Sequence, residues 1–160
     1  MAENPVDQQA FAALVRDNER ALARIARHYA APQERDDLLQ EILLQLWRSR
    51  DGYDGRARQS TWVYRVALNT ALSHKRKPRA VHEPLEAAPE RSDAHAADAL
   101  LALERFLAGL DPVQRAVLLL DLEGLGRDEV AEVLGLTANA VAIRLTRLRQ
   151  AFEAQLAEDA

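Results

Sequence analysis

Apolar side chains at Phe11, Leu14, Val15, Leu22, Ile25, Ala26 and Tyr29 fall at intervals of three or four, and this spacing predicts a helix over 11–29. Pro32 stops it. Glu34, Asp36 and Asp37 then open a second helix through Leu38, Leu39, Ile42, Leu43, Leu46 and Trp47, with carboxylates at the end where the helix dipole favours them. The stretch SRDGYDGRARQS, with Gly52 and Gly55, reads as a loop. Ser60 or Thr61 is expected to cap a third helix from Trp62 to Lys77, which carries Val63, Val66, Ala67, Thr70 and Ala71 on one face and ends at Pro78.

The next twenty or so positions lose this periodicity. Pro78, Pro84 and Pro89, among many Ala and Glu, predict a flexible linker over 78–97. A helix from Ala99 to Leu110 follows, and Asp111-Pro112 form the N-cap and first turn of another through Val113 to Leu122. After Gly124 and Gly126 come a short helix Arg127–Leu134, a tight turn at Gly135-Leu136, and Thr137 as N-cap of a helix reaching Leu156. This is helix-turn-helix grammar: Ala131 is small where helices approach, Leu136 fills the gap under the turn, and Val141, Leu145, Leu148 and Phe152 form a buried seam. The expected fold is all-α, with two small helical domains over 1–77 and 98–160 joined by the linker, the second a helix-turn-helix.

Composition narrows the function. The 160 residues include no cysteine, and the four histidines (His28, His74, His82, His95) show no ligand spacing, so metal, redox and cofactor chemistry are not expected. No nucleophile and base stand at motif spacing, which argues against an enzyme. The N-terminus MAENPVDQQA lacks a basic start and an apolar core, and no apolar run reaches the roughly 18 residues of a spanning helix, so a cytoplasmic protein without membrane insertion is expected.

The net charge of −4 hides a pattern. Basic and acidic residues number 13 and 10 over 1–77, 2 and 4 over 78–97, and 6 and 11 over 98–160. Two windows nonetheless hold bases and no acid: Trp62 to Lys77, with four, and Ala138 to Gln150, with three. Such faces on an acidic body suit a protein that binds DNA weakly alone and docks on a basic partner.

The second window is the last helix, whose outer face projects Asn139, Ala142, Ile143, Thr146 and Arg147, with Arg144 and Arg149 at its sides. Such a helix fits the DNA major groove; the plainer alternative is a helical hairpin with a solvated basic face. In the first window Arg65, Asn69, Ser73 and Arg76 share a face, with Trp62 at its start and Tyr53 in the preceding loop. Aromatics beside cations can stack the bases and hold the backbone of single-stranded DNA. Equally, Trp62 and Tyr64 can be core residues, and Lys75-Arg76-Lys77 a solvated helix end.

DDLLQEILLQLW followed by STWVYRVALNTALSHKRK resembles region 2 of extracytoplasmic-function sigma factors, and LAGLDPVQRAVLLLDLEGLGRDEVAEVLGLTANAVAIRLTRLRQ is similar to their region 4. The likeness runs from about Phe11 to Leu156. It implies a subunit that binds core RNA polymerase, through the β′ clamp helices and the β subunit, and that recognises and opens promoter DNA, with an anti-sigma factor as a further partner. It implies polymerase contacts from Asp37, Gln40, Glu41 and Gln45. Tyr53, Trp62, Arg65, Asn69 and Arg76 would recognise and melt the minus-ten element. Ala142, Ile143, Arg144, Thr146 and Arg147, with Asn139 on the same face, would read the minus-thirty-five element. The chain departs from the family at Ala142-Ile143, where a basic or polar pair is common, and at Gly126-Arg127, where a Ser or Thr with an aromatic is common. Fewer polar groups mean fewer hydrogen bonds to bases and weaker upstream recognition, or recognition through thymine methyls. The alternatives are a helix-turn-helix regulator separate from polymerase, which leaves residues 1–77 without a purpose, a helical enzyme or adaptor, and a degenerate sigma factor that serves only as an interaction protein.

Overall fold

A computed structural model describes residues 5–75 and 94–160, so Arg76, Pro78 and most of the expected linker lie outside the described residues. Every regular element among the described residues is helical, and the chain divides into two compact units, Met1–Ala80 and Val81–Ala160.

In the first unit the helix expected over 11–29 is two helices, α1 (Pro5–Asp17) and α2 (Glu19–Tyr29). Asn18 divides them. Its side-chain amide donates to the Leu14 carbonyl at 2.8 Å, its backbone sits at φ −111° and ψ 8°, and its own carbonyl accepts from Leu22 N–H at 3.0 Å. An Asn that bonds the local backbone competes with the helix ladder, an option that apolar periodicity does not register. A single 3₁₀ turn at Pro32–Glu34 leads into α3 (Arg35–Ser49), and α4 spans Gln59–Lys75. The first bond of α4 runs from Trp62 N–H to the Arg58 carbonyl at 3.1 Å. Ser60 and Thr61 therefore lie inside the first turn rather than capping it, and Thr61 is buried. Helices α2, α3 and α4 pack together over Leu22, Ile25, Tyr29, Leu38, Ile42, Leu46, Val63, Ala67, Leu68 and Ala71. Phe11 ties α1 to this bundle, its ring meeting Trp47 edge-on at 5.0 Å.

The second unit comprises α5 (Ala94–Gly109), α6 (Pro112–Leu122), α7 (Arg127–Leu134) and α8 (Ala138–Glu158). Helix α5 begins five residues before the expected Ala99, within the stretch read as linker, because six of the eight residues of AHAADALL are the strong helix formers Ala and Leu. Helix α6 is buried all round from Arg115 to Leu120 and packs against α5, α7 and α8. Asp111 caps it as expected, Oδ1 accepting from Val113 N–H at 3.0 Å and Gln114 N–H at 2.9 Å.

Candidate polymerase and nucleic-acid interfaces

On α3, one row of side chains carries the bundle and another is left to solvent. Leu38, Ile42 and Leu46 are fully buried, while Asp36, Asp37, Gln40 and Leu44 are exposed and Gln45 is half-buried. Leu44, 45% exposed, is an apolar side chain in a polar stripe, and the apolar run Ile42-Leu43-Leu44 contained the signal because three successive residues spread over about 200° of the helix. Glu41 is only half open. Its Oε2 stands 3.3 Å from Nδ1 of the nearly buried His74 on α4, so part of its charge is directed inward.

The loop between α3 and α4 is ordered by its own polar groups. Gly55 takes φ +77°, a left-handed conformation that a side chain disfavours, and the Asp54 carboxylate accepts from Arg56 N–H at 3.0 Å to close the turn. Tyr53 donates its hydroxyl to the Ala57 carbonyl at 2.5 Å, and its half-exposed ring lies 5.4 Å from that of Trp62. Trp62 is 6% exposed and Tyr64 is also buried, so both side chains pack into the first unit. Burial raises the pKa of the Tyr64 hydroxyl, with Arg24 opposing the shift, and keeps it neutral. Along α4, Asn69 and Ser73 are exposed and Arg65 half-buried on the face that Trp62 begins, where the half-exposed Tyr53 adjoins it.

The helix-turn-helix is held by its backbone. Glu129 on α7 reaches back to accept from Gly126 N–H at 2.9 Å, Gly135 ends the helix at φ +67°, and Leu136 N–H bonds the Ala131 carbonyl at 3.0 Å. Thr137 Oγ1 accepts from Ala140 N–H at 3.1 Å and starts α8. Val141, Leu145 and Leu148 are buried beneath α8, and Phe152, half-buried, meets Phe106 at 5.2 Å. The opposite face brings together Asn139, Ile143, Thr146 and Arg147, all exposed, with Ala142 and Arg144 half-buried at its flanks. Arg149 is engaged elsewhere, pairing with Asp121 of α6 at 3.0 Å.

Arg115, 3% exposed, was not singled out from the sequence. Its guanidinium donates to the carbonyls of Leu107 (2.8 Å), Ala108 (3.1 Å) and Leu110 (2.9 Å), closing the end of α5. The signal was a cation in the first turn of α6, where the dipole disfavours it, followed by an apolar run.

No group of His, Cys, Asp and Glu among the described residues could hold a metal ion, and no helix among them is long and apolar enough to cross a membrane. What the described residues expose is an acidic stripe on α3, an amide-bearing face on α4 beside Tyr53, and the outer face of a helix-turn-helix.

Residues 14–81 match the Sigma-70 region 2 family and residues 100–152 the Sigma-70 region 4 family. RNA polymerase sigma factor NccH of Alcaligenes xylosoxydans xylosoxydans is 30% identical, across 94% of this chain and 88% of its own. ECF RNA polymerase sigma factor SigM of Mycobacterium tuberculosis is 32% identical, across 89% and 75%. The structure of CnrH in complex with the cytosolic domain of CnrY aligns with a TM-score of 0.72 at 30% identity, covering 96% of this chain and 91% of that one. The chain belongs to the sigma-70 family of RNA polymerase sigma factors, in its extracytoplasmic-function group. It directs RNA polymerase to promoters.

Proposed function

We propose that this sigma factor divides promoter recognition between its two units, with core binding and minus-ten melting in 1–77 and minus-thirty-five reading in 98–160. Asp37, Gln40, Glu41 and Gln45 on α3 dock on the β′ clamp helices, with Leu44 adding an apolar contact inside the acidic stripe. Tyr53 stacks a base of the opened strand, Arg65 and Asn69 hold its neighbours, and Arg76 binds its phosphates. Trp62 serves this site by fixing Tyr53. In the second unit Asn139, Ala142, Ile143, Arg144, Thr146 and Arg147 meet the major groove. Bond making is left to polymerase, and the protein works in the cytoplasm.

The observation that carries this reading is the shared exposure of Asn139, Ile143, Thr146 and Arg147 on a helix whose other side is the buried seam of a helix-turn-helix. An anti-sigma factor is the expected inhibitor, as CnrH was solved with the cytosolic domain of CnrY and RpoE of Bartonella quintana with the anti-sigma factor NepR. Footprinting of reconstituted holoenzyme tests the division. Arg147→Ala should lose upstream protection, at about 1–3 kcal/mol for a bidentate base contact, and keep the downstream signal. Loss of both together would argue against two separate readers.

A further inference from the structure

Where α8 reads the upstream element, as proposed above, the middle of its outer face is short of hydrogen-bond donors. Asn139 stands exposed at its start and Arg147 one turn beyond Ile143, Ala142 and Arg144 lie half-buried at its flanks, and Ile143 and Thr146 occupy the exposed stretch between. Ile143 leaves 44% of its surface open. Thr146 donates its hydroxyl hydrogen to the Ala142 carbonyl at 3.0 Å, so only its methyl group and spare lone pairs are available to a ligand. An exposed isoleucine alone is ordinary on a protein surface. The inward-turned Thr146 donor is a second, independent feature, and together they make the centre of the face apolar.

Purines present acceptors in the major groove, O6 and N7 of guanine and N7 of adenine, and these need donors. The apolar mark in that groove is the C5 methyl of thymine. We infer that Ile143, beside Ala142 and the Thr146 methyl, is a specificity-determining residue that reads thymine methyl groups at the centre of the upstream element. A·T pairs are selected there by apolar contact, and Asn139, Arg144 and Arg147 supply the hydrogen bonds around it.

The experiment selects upstream elements from randomised duplexes with reconstituted holoenzyme, on templates already melted at the downstream element so that opening does not limit binding. Each thymine of the selected element is then replaced by deoxyuridine, which removes the methyl and leaves every hydrogen-bonding group in place. Wild-type holoenzyme should lose roughly fourfold in affinity for each methyl that Ile143 covers. Ile143→Ala, a change at an exposed position, should bind the thymine and deoxyuridine templates equally. A selected element with G·C at its centre, unchanged affinity for deoxyuridine, or the same loss in Ile143→Ala would overturn the inference and leave upstream reading by α8 standing. Selection that returns no preferred upstream sequence would overturn both.

Discussion

Glu41 Oε2 and His74 Nδ1 meet at 3.3 Å across the α3–α4 contact, though 33 residues separate them in the chain. The contact joins the helix proposed to bind polymerase to the helix proposed to hold the opened strand. It also separates two carboxylates that look equivalent in the sequence: Asp37 is free to meet a partner, whereas Glu41 is also part of the packing.

Asp37→Lys should therefore weaken assembly with core polymerase by about tenfold, roughly 1.4 kcal/mol, with only the small fall in melting temperature that a cation in the first turn of α3 brings. Glu41→Lys should lower both assembly and melting temperature, because it also removes the carboxylate that meets His74 in the α3–α4 contact. Titration against labelled core polymerase, run with melting curves, checks this. Equal behaviour of the two variants in both assays would contradict it.

Asn69→Ala should slow opening of a duplex promoter while leaving upstream binding intact, since Asn69 is exposed on the face of α4 that Tyr53 adjoins. A template mismatched across the downstream element should recover part of the loss, because unpairing and unstacking no longer have to be driven by protein contacts. Fluorescence of a base analogue in the melted strand reports it directly. A normal opening rate would place melting on another surface.

Tyr53 and Trp62 should separate in the same way. Trp62→Ala removes a buried ring and should cost about 3–5 kcal/mol of stability in the first unit. Tyr53→Phe, which loses the bond to the Ala57 carbonyl but keeps a ring for stacking, should open promoters better than Tyr53→Ala. Urea denaturation and opening rates measured on the same preparations distinguish the two roles.

Arg115→Met should destabilise the second unit by roughly 2–4 kcal/mol, since it leaves the carbonyls at the end of α5 without their donor. Arg147→Ala, at an exposed position, should change stability little. If Arg115→Met melts with wild type, the guanidinium contacts are not what closes that helix.

Elements whose signals are local were legible in the sequence. Asp111-Pro112 and the Gly135–Thr137 turn fix their helices through bonds to the nearest backbone groups, and Val141, Leu145 and Leu148 form the expected seam. What depends on tertiary partners was not. Trp62 shares its side of α4 with the exposed Asn69 and Ser73 by helical position, yet it is buried, with Tyr53 of the loop against its ring. The Glu41–His74 and Arg115–Leu107 contacts join residues of different helices, and no periodicity encodes them. Asn18 broke a periodic stretch by a side-chain bond to Leu14 that competes with the helix ladder.

The central claim is that recognition belongs to the assembly with polymerase, and one comparison tests it most directly. Purified protein, core polymerase and their mixture are presented in turn with a library of duplex promoters at fixed salt, and binding and strand opening are both read. The account predicts weak, salt-sensitive binding without sequence preference by the protein alone, because its net charge is −4 and its bases are confined to short faces. It predicts specific binding and opening by the mixture. Tight, sequence-specific binding by the free protein, or a mixture that selects and opens no more promoters than core polymerase does, would contradict it.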